Sequence, residues 1–522
     1  MHSAALQGRL DNDSRPAWEN FSSSHATGGR LNIGWRLPCC LFLLFLRAIG
    51  VSSPVWAQDL DLHGTIGSQQ ADSYVLVPFE VPPGIQRLNV SFSYSGREDH
   101  TTLDLGLLDP QRFRGWSGGN KDAFSVGIAD ATPSYLPGPL PPGTWKLLIG
   151  VAHLGEGHTS IYQAHIHFLK MDVGEATGFA PAPIAAGDRW YRGDLHMHTA
   201  HSDGSCTSQS GKMVPCPVFV TVEAAIKQGL DFIAITDHNT ISHYDVEREL
   251  QPYFDQILLI PGREITTYSG HANVFGPTSF IDFRSEAKGS PSINTVFRAA
   301  QSAGAFVSVN HPGDPTGASC IGCGWSITNT DWNLVNGIEA INGNDPNHYE
   351  ADIRFWDQHL AKGFRLVAVG GSDTHRPERG TIGRPTTVVH ASELSVHGIL
   401  EALRAGHDCI DLTASHDKLI DLRADDGTSH AAMGESLAAA RNDHVTLTAH
   451  VTSASGSTLR WLLDGKQPSA SPSHVLSSDS TDEAASWTSD GQRHWMRAEV
   501  RTADGTLELL SNPIFFNWSG KR

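Results

Sequence analysis

Between residues 190 and 415 the chain repeats one grammar: a short β-branched run, a polar break, then a longer stretch with helical spacing. The runs lie near 232–236, 257–260, 272–275, 305–309, 337–341, 366–369 and 386–389, and the helical patterns near 218–229, 293–303, 349–362 and 394–405. Such alternation predicts parallel strands joined by crossover helices. With this many strands it predicts a closed β/α barrel rather than an open sheet. Functional groups should then gather at the carboxyl ends of the strands.

The flanks read differently. From about Asp59 to Leu169 apolar residues alternate, as in Leu88, Val90, Phe92 and Tyr94, in Leu103, Leu105 and Leu107, and in Trp145, Leu147, Ile149 and Val151. Period-two runs broken by Gly, Pro and Asp predict an antiparallel β-sandwich. Alternation returns from about Ile420 to the end of the chain and predicts a small β-domain, with the Ser-, Asp- and Thr-rich stretch 469–489 as a mobile loop. The expected organisation is an export segment with a disordered leader (1–57), a β-sandwich (58–172), a linker (173–189) containing the Ala/Pro stretch 180–187, an α/β barrel (190–418) and a C-terminal β-domain (419–522). Gly115-Trp116-Ser117-Gly118-Gly119 matches a nucleophile-elbow pattern, but no helix pattern follows it, and it reads as a Gly-rich loop.

Arg30 and Arg36 precede the apolar run 37–46, and Val55-Trp56-Ala57 resembles a cleavage site, so export to the periplasm or the extracellular space is expected. A single-span anchor is the alternative; after signal cleavage no stable membrane span is expected. Five of the 7 cysteines lie beyond this segment. Cys206 with Cys216, and Cys320 with Cys323, are expected to staple loops, leaving Cys409 free; a half zinc site at Cys320 and Cys323 is the alternative. A net charge of −18 argues against a nucleic-acid partner. Oligomeric state is not legible.

Ligand-type side chains recur after the predicted strands. His196 and His198 are two apart, so on an extended segment both rings point to one face and can reach one ion. Asp203 follows through a Ser-Asp-Gly turn. The run at 232–236 leads into Asp237-His238, that at 257–260 into Arg263-Glu264, and that at 305–309 into Asn310-His311. The run at 366–369 leads into Asp373-Thr374-His375, and His271 opens the strand at 272–275. Imidazole and carboxylate without thiolate suit Zn, Mn or Fe.

The ordered motifs D-L-H-M-H-T-x-x-S-D-G, I-T-D-H-N, P-G-x-E, N-H-P and G-S-D-T-H resemble the PHP (polymerase and histidinol phosphatase) superfamily, over roughly 190–415. The resemblance implies a distorted, TIM-like β/α barrel holding two or three divalent ions. It implies that His196, His198, Glu264 and Asp373 hold one ion. Glu264 would bridge to a second, with His271 and His311, and Asp203, His238 and His375 would hold a third. His201 is set aside as a bystander. Asp194 and Asp237 are expected to orient ligand imidazoles. Glu339 and Arg376 are candidate substrate contacts, with orienting a ligand or a purely structural role the alternatives for Glu339; Arg263 and Arg379 are further candidate oxyanion partners, with a salt bridge the alternative for each arginine.

The expected chemistry is attack by a metal-bridged hydroxide at Glu264 on a phosphoester of a small molecule. The third ion would stabilise the leaving oxygen, or else His238 or His375, where not fully committed to metal, would serve as its acid. The exported architecture, with a β-domain before the barrel, also resembles the carbaryl-hydrolase-like branch, which implies carbamate or carboxylic (aryl) ester hydrolysis at the same ions. Trp325, Trp332, Tyr349 and Trp356 are candidates for an apolar pocket, with core anchors as the alternative. A non-catalytic surface- or carbohydrate-binding protein is the remaining alternative.

Overall fold

The computed structural model describes residues 59–170, 178–317, 320–468 and 473–518; the expected leader, signal and cleavage site lie outside the described residues. The fold is mixed α/β, with strands predominating over a few helices. Among the described residues no helix is long and apolar enough to cross a membrane.

The N-terminal part holds β1 (Leu60–Gly67), β2 (Ser73–Val81), β3 (Ile85–Tyr94), β4 (Thr102–Leu108), β5 (Phe113–Gly118), β6 (Ala123–Gly127), β7 (Gly143–His153) and β8 (Thr159–Lys170). They form two antiparallel sheets, ordered β1-β8-β3-β6 and β2-β7-β4-β5. The alternating residues are their inner faces: Leu88, Leu105, Trp145, Leu147, Ile149 and Ile166 are fully buried in one cluster. The Gly115–Gly119 stretch is mostly strand β5 rather than a loop. Ser117 Oγ lies buried between the Leu105 carbonyl and the Tyr135 hydroxyl, which rules out an exposed nucleophile there.

The central part contains β9 (Ala185–Asp194), β10 (Ser205–Thr207), β11 (Met213–Pro215), α1 (Val218–Lys227), β12 (Phe232–Ile235), α2 (His243–Leu250), β13 (Leu258–Thr266), β14 (His271–Phe275), α3 (Ile293–Ser302), β15 (Phe306–Asn310), β16 (Gly337–Asn342), α4 (Pro346–Lys362), β17 (Val367–Gly371), β18 (Thr386–Leu394), α5 (Val396–Ala405) and β19 (Asp408–Asp411). The predicted runs are strands to within a few residues; α2 and the β10–β11 hairpin carry too short a pattern to have been read. Caps set the helix starts: Asp345 accepts from Asn347 N before α4, whose first residue is Pro346, and Ser395 accepts from Gly398 N before α5. The helices bury one face each, as α3 does with Ile293, Val296, Phe297 and Ala300.

The strand order is β17-β16-β15-β14-β13-β12-β9-β18-β19. The sheet is not all parallel as expected. β14 runs antiparallel to β13 and β15, and β18 to β9 and β19. The physical reason is connection length: only Thr267–Gly270 separate β13 from β14, too few for a crossover, and the Thr267 hydroxyl bonds the Gly270 carbonyl to close a tight turn. A single parallel bridge, Met197–Thr374, joins the segments that follow β9 and β17.

The predicted linker is largely structured where described. Phe179 is buried against Tyr244, the Ile184 amide bonds Leu394 O, and the stretch runs into β9.

The C-terminal part comprises β20 (Leu419–Asp425), β21 (His430–Ala432), β22 (Ser436–Leu437), β23 (His444–Thr452), β24 (Thr458–Leu463), β25 (His474–Val475), β26 (Ser480–Thr488), β27 (His494–Arg501), β28 (Leu507–Ser511) and β29 (Ile514–Phe516). It continues the central sheet, since β28 pairs with β19. The supposed mobile stretch is largely strand: β26 pairs with β23 from His444–Thr488 to Thr452–Ser480, and alternates exposed and half-buried residues that composition alone reads as loop. The cysteines pair as expected, Cys206 with Cys216 and Cys320 with Cys323, with Cys409 free and buried. Such pairs persist in oxidising compartments.

Candidate metal centre

Strand ends bring the predicted residues together. β9 ends at Asp194 and the chain continues extended, so His196 and His198 share a face, with ring centroids 5.2 Å apart. Glu264 lies near the end of β13, His271 opens β14, His311 follows β15, and Asp373 and His375 follow β17. Two of these residues adopt left-handed backbone, His311 at φ 28° and Asp373 at φ 50°. Non-glycine residues occupy that region at a cost of order 1–3 kcal/mol each, and such strain clusters at functional sites.

Glu264 is the hub. Its Oε1 lies 3.6 Å from His196 Nε2, 3.3 Å from His271 Nδ1 and 3.4 Å from His311 Nε2. Its Oε2 lies 2.7 Å from His238 Nδ1 and 3.7 Å from His198 Nε2. Asp373 Oδ1 lies 3.0 Å from His198 Nε2 and 3.4 Å from His196 Nε2. Asp203 Oδ1 lies 3.3 Å from His375 Nε2 and 3.6 Å from His238 Nε2. Donor atoms close enough to share an ion fall into overlapping groups: His196–His198–Asp373, His196–Glu264–His311 and His198–Asp203–His238–His375. His198 thus stands with the third group as well as the first, and His196 also groups with His311. His271 groups with His311 and Cys323. His201 hydrogen-bonds Ser242 instead and belongs to none of the groups.

The donor set fits divalent cations. His196 Nε2, His271 Nδ1 and His311 Nδ1 are buried without a hydrogen-bond partner. Orphaned buried polar atoms are expensive unless a ligand or ion satisfies them. Protonation shows the same demand. Burial raises the Glu264 carboxyl, yet His196, His238 and His271 reverse this and hold it well below the usual range. Asp373 is likewise held down against burial by His196, His198 and His311, and Asp203 falls to about 2 against burial, chiefly through His375. Burial opposes charge on the imidazoles, but Glu264 lifts His311 to about 9 and Asp203 with Asp373 lifts His375 to about 9. His198 moves the other way, because burial there outweighs its carboxylates. Protons on imidazole nitrogens therefore supply the positive charge that a divalent ion supplies when bound.

The expected roles of the neighbours change. Asp194 accepts backbone amides of His196, Ser372 and Gly383 rather than an imidazole, because its side chain turns into the β9–β17 junction. Asp237 accepts from Thr199 and Ser202, and it lies 3.8 Å from a ring nitrogen of His243. The carboxylate that meets a predicted ligand imidazole is Glu339. Its Oε1 meets His196 Nδ1 at 2.8 Å, and its Oε2 accepts from His311 N and Asn342 Nδ2, each at 3.0 Å. Both oxygens are hydrogen-bonded and the residue is buried. An added Cβ at Gly371 would lie 2.4 Å from both Glu339 Oε1 and His196 Cβ, which explains a glycine there.

Asn310, which donates to Glu264 Oε1 at 2.9 Å, and Thr266, 2.6 Å from His238 Nδ1, were missed. Asn310 directly precedes His311, which was the available signal. The Arg263 guanidinium turns away, onto Pro277 O and the Tyr244 ring, and Arg379 is exposed. Arg376 is half-buried beside His375 and forms no ion pair among the described residues. Tyr349 and Trp356 are core residues, and Trp325 and Trp332 pack against the same core, so the aromatics anchor the fold rather than form a box.

No family model matches the chain, and no curated protein matches it. Among solved structures, one similar chain is a provisionally assigned metal-dependent phosphoesterase from Bifidobacterium adolescentis ATCC 15703. It is 22% identical, covers 37% of this chain and 89% of that chain, and overlays with a TM-score of 0.24. That likeness is too slight to carry weight, and the functional reading rests on this chain's own residues.

Proposed function

We propose that the chain is a multinuclear metal-dependent hydrolase of the PHP type that cleaves phosphoesters of small molecules outside the cytoplasm, with the curled central sheet serving as its distorted barrel. The observation that carries the reading is the clustering of nine His, Asp and Glu side chains, Glu264 among them, in overlapping groups with buried donor atoms left unpartnered. Divalent ions bound there would supply a water of lowered pKa and offset charge on the attacked oxygen. His196, His198, Glu264 and Asp373 would hold one ion, His271 and His311 a second with Glu264, and Asp203, His238 and His375 a third. Glu339 fixes His196 so that Nε2 faces the ions. His238 and His375 are the more exposed imidazoles; the third ion would stabilise the leaving oxygen, and either ring would be its acid where it is not committed to that ion. Arg376 would steady a substrate anion. The two cysteine pairs support an exported site of action.

A carbamate or carboxylic ester substrate is the second reading. One observation favours it: fixed positive charge at the mouth is thin, since Arg263 faces inward and Arg379 outward.

The deciding experiment loads purified protein with Zn, Mn or Fe and measures metal content. It then assays p-nitrophenyl phosphate, bis(p-nitrophenyl) phosphate and 1-naphthyl acetate. The expected result is phosphoester hydrolysis that a chelator abolishes and the double variant H196A/D373A lacks. Hydrolysis of 1-naphthyl acetate alone would select the second reading, and hydrolysis of none of the three by fully loaded protein would overturn both.

A further inference from the structure

The segment between His311 and Ser326 carries chemistry that the hydrolase reading leaves unused. Cys323 is buried, and its sulfur lies within 4.8 Å of a ring nitrogen of His271 and one of His311. Thiolate and imidazole on a tetrahedral Zn stand about 3.6 Å apart, from bond lengths near 2.3 and 2.05 Å. The three atoms therefore stand at a spacing that needs only a small shift to share one ion. Both histidines are more than nine-tenths buried, and each leaves Nδ1 without a hydrogen-bond partner. As found, Cys323 is joined to Cys320, and a disulfide sulfur is a poor ligand.

Contacts other than the disulfide also hold Cys323 in place. Ile321 O lies 3.2 Å from His271 Nε2, Ser326 N donates to Ser269 O at 2.9 Å, and Trp325 N to Pro312 O at 2.9 Å. Gly322, at φ +84°, approaches so closely that a Cβ there would lie 2.1 Å from Thr267 O. Opening the disulfide would leave the sulfur beside the two imidazoles.

We propose that Cys320–Cys323 is a redox switch on the metal centre: reduction turns Cys323 into a thiolate ligand that joins His271 and His311 in a soft, zinc-favouring site. This rests on the metal-centre reading above. In the step, a dithiol reductant attacks the Cys320–Cys323 bond, which breaks. Two electrons and two protons pass to the cysteines while the reductant closes its own disulfide, and the Cys323 thiol loses its proton to solvent on binding the ion. A thiolate in the second position turns an oxygen- and nitrogen-lined site into one that favours Zn over harder ions.

Cobalt(II) is the probe, because thiolate ligation adds a charge-transfer band that imidazole and carboxylate do not. The full-length protein is loaded with cobalt oxidised and again after dithiol treatment, beside Cys320→Ser and Cys323→Ser. The expected result is no band in oxidised wild type, a band after reduction, the same band in Cys320→Ser without reductant, and none in Cys323→Ser under either condition. The last control removes any contribution from Cys206, Cys216 or Cys409. If oxidised protein binds no cobalt, the metal-centre reading itself fails. If it binds cobalt but neither reduced wild type nor Cys320→Ser shows the band, the switch alone is overturned.

Discussion

Replacing Glu339 with Gln isolates the support of the centre from the centre itself. The carboxylate serves two sides, His196 Nδ1 through one oxygen and both His311 N and Asn342 Nδ2 through the other. An amide of the same size can satisfy only one. If its NH2 faces His196, the ring must carry its proton on Nε2, the nitrogen that faces Glu264 and the ion. If the NH2 faces the other way, it opposes two donors. Either orientation should weaken metal binding about 10- to 100-fold, or about 1.4–2.7 kcal/mol, the usual effect of losing a group that orients a ligand. Glu339→Ala should be worse for folding, since it orphans two buried donors, His196 Nδ1 and His311 N, at roughly 1–3 kcal/mol each. The assay is competition for Zn against a chromophoric chelator, with thermal melting of the metal-free protein as the control for folding. An E339Q protein that melts like wild type and holds Zn within about threefold of it would refute the orienting role.

Metal-free protein should lose stability between about pH 6.5 and about 9. His311 and His375 are raised to about 9 in the folded state, so their contribution is complete below the unfolded value near 6.5 and is lost as pH rises through the folded one. Bound metal favours neutral imidazole, so melting of the loaded protein should not show this decline; a flat metal-free profile would contradict it. Asp203→Ala should remove the outermost ion while moving the melting temperature little, because the carboxylate is more than half exposed; metal counting by mass spectrometry under native conditions checks this. Arg376→Ala should lower kcat/KM on phosphoesters on the order of tenfold or more, as expected for a hydrogen bond to a charged group, and leave 1-naphthyl acetate hydrolysis unchanged. Equal losses on both substrates would remove Arg376 from anion binding.

Much of the central sheet was legible because its strands are short, apolar and punctuated by polar breaks, and because a wholly buried strand such as β13 permits no polar residue until its end approaches the site. The direction of β14 was not legible. A strand of five residues reads the same either way, and only the short turn after Thr266 forbids a crossover. The stretch 469–489 misled for the opposite reason. An outer strand with one face in water needs no apolar residue on that face, so β26 has the composition of a loop.

By itself the sequence marked the side chains of ligand type, because imidazoles and carboxylates recur at the ends of apolar runs in ordered motifs, and it marked two cysteine pairs that could close loops. What the tertiary structure decided was proximity. It made Glu264 the hub of five imidazoles, it set Glu339 against His196 Nδ1 and the His311 amide, and it placed Cys323 beside His271 and His311. Those relations join residues from 7 to 143 positions apart. Local pattern carries no record of such distances; only the curl of the sheet, which brings successive strand ends to one side, creates them.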